Sequence, residues 1–173
     1  MNDINLYVYH ANDDDPKKCS AKKLHRFGHV RLEEKMQKLP RNLILLNPFS
    51  QKSLSAEDAK TCEKNGILAI DCSWVHAEEV FTKLSKNHIS RSLPFVIAVN
   101  PVNYGKVLKL STLEAFAAAL YIINRKKQAE KLLQIYKWGP QFIKMNHEPL
   151  EAYSKAENST EIIKIMNDYI NNE

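Results

Sequence analysis

Short apolar runs alternate with helix-length segments over the first hundred residues, and this alternation limits the chain to few architectures. The runs are Ile4–Tyr9, Asn42–Asn47, Ile67–Cys72 and Pro94–Val99, and each has the length of a β-strand. The last three are continuously apolar, which is typical of strands buried on both faces. Strands separated by helices predict an α/β protein built on a parallel sheet with helices on both faces.

The segments between these runs carry helix signals, and the pattern changes after Ser111, where no further strand is visible. The predicted helices are Lys18–Gly28, Ser55–Gly66, Val75–Leu84, Leu113–Asn124, Gln128–Trp138, Pro140–Lys155 and Ser159–Asn171. We therefore expect an N-terminal α/β domain, residues 1–92, and a mainly helical C-terminal domain, residues 93–173. The strand Pro94–Val99 lies where the two domains join.

Composition excludes several classes of protein. The chain is 44% hydrophobic and 26% charged over 173 residues, which is typical of a globular domain. No window approaches the roughly 18 apolar residues of a membrane span, and Met1–Asn5 lacks the layout of a signal peptide. The three cysteines form no CxxC pair and the six histidines show no ligand spacing, so we expect no metal. These features predict a reducing, cytoplasmic compartment and no membrane partner.

The net charge of +5 is unevenly distributed, because basic residues are concentrated just after Asp13-Asp14-Asp15. This basic segment contains Lys17, Lys18, Lys22, Lys23, His25, Arg26 and His29. Clustered Lys and Arg favour a polyanion such as RNA, since phosphate binding releases counterions. A solvated helix face explains the same pattern, so composition leaves both interpretations open.

The segment Leu93–Lys106 indicates where a small ligand would bind. Its apolar run stops at Asn100-Pro101, crosses a polar loop and leads to a helix whose first turn carries a capping box, Ser111 with Glu114. Hollows beyond the carboxyl ends of parallel strands, near helix N-termini, are common ligand sites in α/β proteins. An ordinary connection without a ligand fits the same residues.

Asp71 is the carboxylate that ends an otherwise apolar strand, and Trp74 follows three residues later. At the rim of a ligand hollow, partial burial would favour proton uptake by Asp71 and make it a usable general base. Asp71 capping a neighbouring helix is an equally good interpretation. Trp74 would either line the ligand or fill the core. The chain contains no Walker loop, GxGxxG, HExxH or nucleophile elbow.

Five blocks of sequence, in order along the chain, resemble the small-subunit rRNA aminocarboxypropyltransferases, in particular their compact archaeal branch. The blocks are Asp15–Leu24, Leu46–Phe49, Ile70–Trp74, Leu93–Lys106 with Leu110–Thr112, and Lys137–Gly139 with Phe142 and Asn146. Ser20 stands where threonine is also common in the family, and Leu108 where an aromatic residue can occur. The resemblance implies a fold like that of the SPOUT methyltransferases, with a trefoil knot on the C-terminal side, inside the S-adenosylmethionine-binding domain.

The same resemblance implies the reaction. The 3-amino-3-carboxypropyl group of S-adenosylmethionine would move to N3 of a uridine-type base in small-subunit rRNA, an N1-methylpseudouridine in eukaryotic relatives, releasing methylthioadenosine. It implies a S-adenosylmethionine site formed by Ser20, Ile70, Trp74, Leu93, Phe95, Leu108 and Thr112. Asp71 would remove the imide proton or hold the amino group.

The basic segment lies next to Ser20, so RNA drawn to it would arrive beside the cofactor. The expected RNA-binding residues are Lys17, Lys22, Lys23, Arg26 and Lys106.

A methyltransferase on the same scaffold and a non-catalytic, RNA-binding ribosome-assembly factor are the alternative functions. We expect a monomer, because the helical C-terminal part would cover the surface that knotted methyltransferases use to dimerise.

Overall fold

The computed structural model of the protein describes residues 2–11, 20–71 and 74–172, and for Trp74 the backbone alone. Within these residues, five parallel strands form one sheet in the order β2-β1-β4-β3-β5. The strands are β1 Leu6–His10, β2 Arg31–Glu33, β3 Ile44–Leu46, β4 Ile67–Asp71 and β5 Ile89–Arg91. Because all five run the same way, their carboxyl ends lie along one edge of the sheet.

Helices cover both faces of this sheet. In the described residues they are α1 Ser20–Arg26, α2 Ala59–Asn65, α3 Trp74–Ser85, α4 Thr112–Ile122, α5 Lys126–Leu133, α6 Gln141–Met145, α7 His147–Lys155 and α8 Ser159–Asn171. Two short 3-10 turns, Met36–Lys38 and Ala56–Asp58, complete the elements. No helix among the described residues combines the length and the apolarity needed to cross a bilayer.

The side chains of the strands separate into two cores according to the alternation of the pleat. On one face, Leu45 and Leu68 pack with Phe81 and Leu84 of α3. On the other face, Val8, Ile44 and Ile67 belong to a larger core that includes α4 and residues of α5 to α8. Helix α4 is buried on nearly all sides, and its alanines at 117–119 are fully buried. The predicted parallel α/β architecture is therefore confirmed, and one core joins residues from both predicted domains.

The predicted elements agree with the structure at some positions and differ from it at others. The predicted strands in 4–9, 42–47 and 67–72 correspond to β1, β3 and β4, although Cys72 lies outside the described residues. The predicted strand Pro94–Val99 is wrong: this apolar segment is an irregular buried stretch, and the fifth strand is Ile89–Arg91. β2 was not predicted. The helical segment Pro140–Lys155 is divided into α6 and α7 at Asn146. Helix α8 has the predicted limits.

Candidate active site

A cavity of about 210 Å³ lies beyond the carboxyl ends of β3, β4 and β5, against the N-terminus of α4. Its walls are mainly apolar, and its polar groups are concentrated near Asn47 and the start of α4. It is lined by Leu46, Asn47, Pro48, Ala69, Ile70, Ala77, Phe81, Ser92, Leu93, Leu108, Leu110, Ser111, Thr112 and Ala115. This is the edge of a parallel sheet at which ligands bind in α/β folds.

The N-terminus of α4 is fixed by the capping box that the sequence predicted. Ser111 Oγ accepts from Glu114 N–H at 3.2 Å, and Glu114 Oε2 accepts from Ser111 N–H at 2.8 Å. Thr112 is the first residue of the helix and lines the cavity. The helix dipole makes such a position favourable for a carboxylate.

Glu114 also organises the loop that forms one wall of the cavity. Its side chain is 0% exposed, and Oε1 accepts from the backbone N–H groups of Val99 at 2.7 Å and Asn100 at 2.9 Å. Oε2 accepts in addition from Asn100 Nδ2 at 2.7 Å. A buried carboxylate needs such donors, because burying the charge without them is costly. The segment 99–111 is thereby tied to α4 at both of its ends.

Leu108 adopts a left-handed backbone conformation at the rim of the cavity, with φ of +56°. Its N–H donates to Val96 O at 3.0 Å, which holds the turn in place. A side chain other than glycine in this region costs on the order of 1 kcal/mol. The local strain is maintained by the surrounding hydrogen bonds at a residue that lines the cavity.

Asp71 ends β4 and lies opposite His10, the last residue of β1. His10 Nε2 is 3.5 Å from Asp71 Oδ2, and His10 is only 2% exposed. The strands are further linked there by Ala11 N–H, which donates to Asp71 O at 3.0 Å. Asp71 follows Ile70, which lines the cavity, but Asp71 is itself outside the lining, and its carboxylate is paired with a buried imidazole. His10 was not predicted, although it occupies an inward position of the alternating strand β1.

Four of the predicted S-adenosylmethionine-binding residues, Ile70, Leu93, Leu108 and Thr112, line the cavity together. Ser20 lies next to this wall, since its Oγ accepts from Leu113 N–H at 3.2 Å.

Phe95 lies outside the cavity lining: it is buried, and its carbonyl accepts from Tyr153 OH at 2.8 Å. Trp74 begins α3, and its side chain lies outside the described part of the chain. The sequence assigned no ligand-binding role to Asn47, Ala77, Phe81, Ser92 or Ala115, which also line the cavity.

Three predicted RNA-binding residues, Lys22, Lys23 and Arg26, lie on α1. Lys106 is exposed on the loop that precedes Leu108. Lys17 lies outside the described residues. Helix α1 contains no acidic residue, and its N-terminus contacts α4 through Ser20. A basic helix therefore begins beside the cavity wall.

Metal-binding geometry is absent among residues 2–11, 20–71 and 74–172, where no three His, Cys, Asp or Glu side chains converge. The described free thiol, Cys62, is buried, and burial, followed by the nearby Asp58 and Glu63 carboxylates, raises its pKa to about 12. A thiol in this environment is a poor nucleophile and a poor ligand.

Two family models match the chain. Residues 44–170 match the model described as "Ribosome biogenesis protein, C-terminal". Residues 4–39 match "Possible Fer4-like domain in RNase L inhibitor, RLI". An iron–sulfur cluster is held by four cysteine thiolates, and residues 4–39 contain one cysteine, Cys19. The residues of that segment do not supply the ligands of such a cluster.

Full-length relatives agree with the first model. A protein named 16S rRNA aminocarboxypropyltransferase from Methanosarcina mazei is 50% identical over 169 residues, 97% of this chain and 96% of that protein. One of the same name from Methanocaldococcus jannaschii is 49% identical over 166 residues, 95% of each chain. The solved structure described as the SAM-dependent rRNA:acp-transferase Tsr3 from Vulcanisaeta distributa aligns with a TM-score of 0.85 and 38% identity, covering 97% of this chain and 98% of its own. This chain belongs to the 16S rRNA aminocarboxypropyltransferase family.

Proposed function

We propose that this protein transfers the 3-amino-3-carboxypropyl group of S-adenosylmethionine to N3 of a uridine or N1-methylpseudouridine in small-subunit rRNA during ribosome biogenesis. The observation that carries the proposal is the cavity between the strand ends and the N-terminus of α4. It occurs in a chain that matches the named transferases over nearly its whole length. The substrate is the rRNA or the pre-ribosomal small subunit.

The cavity has room for only part of S-adenosylmethionine. Sites that enclose a whole ligand of this size usually measure about 300–1,000 Å³, and this cavity measures about 210 Å³. We place the adenine between Leu93, Leu108 and the first turn of α4, where backbone groups can read its edge, with Phe95 behind the wall. Ser20 and the backbone of Ile70 would hold the ribose.

The methionyl carboxylate would bind at Thr112, where the N-terminus of α4 favours an anion. Trp74 would pack against the methyl group or the methionine chain.

Orientation selects the reaction, because a sulfonium activates all three carbons attached to it. In the proposed step N3 of the base loses its proton and attacks the methylene of the methionine chain. The sulfur–methylene bond breaks, its electron pair stays on sulfur, and methylthioadenosine leaves. The Asp71 carboxylate would accept the N3 proton, since the imide is a poor nucleophile until it is deprotonated. The His10 imidazole, whose Nε2 lies 3.5 Å from Asp71 Oδ2, would then orient this carboxylate.

The finer architecture also belongs to the proposal. We propose an N-terminal α/β domain, residues 1–92, and a C-terminal, mainly helical S-adenosylmethionine-binding domain, residues 93–173, with a SPOUT-like trefoil knot. Support for the helical part comes from the described chain after β5, which adds no further strand to the sheet and continues as α4 to α8. The knot is what the family resemblance implies. We further propose a cytoplasmic monomer that requires no metal. Light scattering on the purified protein tests the monomer, and full activity in a chelator tests the metal.

Labelled S-adenosylmethionine tests the reaction. The purified protein is incubated with small-subunit rRNA and a donor labelled either in the carboxyl group or in the methyl group. We expect RNA to acquire the carboxyl label and methylthioadenosine to keep the methyl label. Methyl label alone in the RNA would identify a methyltransferase instead. RNA binding without transfer of either label, and without binding of the donor, would identify a non-catalytic assembly factor.

A further inference from the structure

Four side chains form a continuous row at the far end of α1, which we call the aromatic–cation row: Phe27, Lys23, Tyr136 and Trp138. Lys23 Nζ lies 3.9 Å from the ring centroid of Tyr136 and 6.0 Å from that of Phe27. The Tyr136 ring in turn stacks on Trp138, with centroids 4.9 Å apart and an interplanar angle of 19°. Ammonium groups are attracted to aromatic rings at these distances. The row therefore holds the Lys23 ammonium between two aromatic side chains.

Phe27 is the exposed member of the row, with 57% of its surface accessible. Its backbone is fixed by the end of α1: Gly28 N–H donates to His25 O at 2.9 Å, and His29 N–H donates to Leu24 O at 2.9 Å. These two bonds, with Gly28 at φ of +79°, form a Schellman cap. The ring is thus presented to solvent on a rigid backbone.

The other end of the row is built by a turn that requires glycine. A Cβ added at Gly139 would lie 1.8 Å from Leu133 O, so no other residue fits without moving the backbone. Gly139 N–H donates to Tyr136 O at 3.1 Å and closes the turn that carries Tyr136 and Trp138. Both rings are partly buried against the main core. The row is therefore anchored to the body of the protein.

The helix that ends just before Phe27 is cationic. Lys22 and Arg26 lie on the same helix, and α1 contains no carboxylate. The helix has seven residues, which is about 10 Å from end to end, and its first residue, Ser20, is hydrogen-bonded to the start of α4 at the cavity wall. An exposed apolar side chain is ordinary on a protein surface by itself. An exposed ring that continues a cation–aromatic row, on a basic helix beside the candidate active site, has the features of a nucleic-acid contact.

We propose that the Phe27 ring is a stacking platform for an unpaired rRNA base close to the modified nucleotide. The proposal rests on the proposed function and adds a specific contact to it. N3 is on the Watson–Crick edge of the target base, so the reaction requires a nucleotide that is unpaired or extruded from a helix. Proteins hold such single-stranded RNA by combining aromatic stacking with phosphate contacts. Here Phe27 supplies the stacking surface, while Arg26 and Lys22 contact phosphates.

Binding to a fluorescein-labelled oligouridylate, measured by anisotropy over a series of salt concentrations, tests this contact. Loss of one base–aromatic stack predicts an affinity about 5- to 150-fold lower for Phe27→Ala. The slope of log Kd against log salt stays unchanged, because no ion pair is lost. Arg26→Ala lowers that slope by about 0.7, the value for one phosphate contact in a single strand. Ile170→Ala removes a similarly exposed apolar side chain on α8 and should bind like the wild type.

Two further variants separate stacking from general hydrophobicity. Phe27→Trp keeps an aromatic ring and should retain wild-type affinity, whereas Phe27→Leu should bind like Phe27→Ala. Wild-type affinity in Phe27→Ala or Phe27→Leu would overturn the proposal, as would a changed salt slope in Phe27→Ala. Transfer of carboxyl label by the wild type is measured in parallel. If the wild type transfers carboxyl label but Phe27→Ala binds the oligouridylate normally, only the stacking contact is refuted. If Phe27→Ala binds more weakly as expected but the wild type transfers no label, only the proposed reaction is refuted.

Discussion

The side-chain amide of Asn146 pairs with the backbone of Ile97 as a neighbouring strand would. Ile97 N–H donates to Asn146 Oδ1 at 2.7 Å, and Asn146 Nδ2 donates to Ile97 O at 2.8 Å. Gln128 makes the same pair of bonds with Ile4, at 2.8 and 2.9 Å. Buried backbone groups need partners. In the irregular segment that follows β5, side chains from later in the chain supply them.

Replacing Asn146 by aspartate should destabilise the protein strongly, although the side chain keeps nearly the same size. In Asn146→Asp the side chain can no longer donate to the carbonyls of Ile97 and Phe142, which Nδ2 reaches at 2.8 and 2.9 Å. Asn146 is 1% exposed, so water cannot replace these bonds. We expect a loss of about 3 kcal/mol in the free energy of unfolding in urea. Asn167→Asp, at an exposed position of α8, is the control. Equal stability of Asn146→Asp and wild type would contradict this account.

These side-chain pairs also explain which parts of the fold the sequence could predict. β3 and β4 are short apolar runs flanked by turn residues, and this pattern identified them correctly. The run Pro94–Val99 has the same pattern, but its backbone is satisfied by Asn146, by Glu114 and by the turn at Leu108. Periodicity cannot separate a buried strand from another buried apolar segment. The strand β5, Ile89–Arg91, was missed because it has three half-buried residues and no apolar run.

In the candidate site, too, some features could be predicted from the sequence and others could not. The capping box at Ser111 could be predicted because it depends on residues three positions apart. The pairing of His10 with Asp71 depends on the register of β1 against β4, across sixty residues of sequence, and no local signal reports that register. The cavity is likewise created by the order of the strands in the sheet. The sequence indicates which segments carry polar chemistry, and the topology determines which of them meet.

Substituting Asp71 tests its role in proton removal. If the carboxylate accepts the N3 proton, Asp71→Asn should lower kcat for transfer by about 100-fold or more. The KM for S-adenosylmethionine should change little, because the side chain keeps its shape. Both constants are measured with the carboxyl-labelled donor. A large rise in KM with nearly normal kcat would contradict the general-base role and identify Asp71 as the residue that holds the amino group of the donor.

Filling the cavity should weaken donor binding without loss of RNA affinity. Ala115 lies on α4 and lines the cavity, so the ring in Ala115→Phe would occupy the proposed adenosine site. We expect the Kd for S-adenosylmethionine, measured by calorimetry, to rise at least tenfold, or about 1.4 kcal/mol. Binding of oligouridylate should stay at the wild-type level. Ala115→Ser, which keeps the small size, is the matched control. Normal donor binding by Ala115→Phe would show that the donor binds elsewhere.

Stability should fall in mild acid because of His88. Burial lowers the pKa of this imidazole below its ordinary value of 6.5, and its Nδ1 accepts from Leu43 N–H at 3.3 Å. The unfolded chain therefore binds a proton at His88 before the folded protein does. Wherever the unfolded state binds more protons, stability falls as the pH falls. The contribution of His88 is complete above pH 6.5 and is lost as the pH decreases through the folded pKa. His29, whose pKa is lowered by burial and by Lys131, acts in the same direction.

Urea unfolding at neutral pH and at about pH 5 measures this effect, since the interval covers the titration of an ordinary histidine. His88→Gln keeps an acceptor that can reach Leu43 N–H and removes the titrating group. Its loss of stability between the two pH values should be smaller than that of the wild type, with the remainder due to His29 and to carboxylates. His76→Gln, at an exposed position of α3, should lose as much as the wild type. An equal loss in His88→Gln and wild type would mean that the half-buried imidazole takes up its proton as easily in the folded protein as in the unfolded chain.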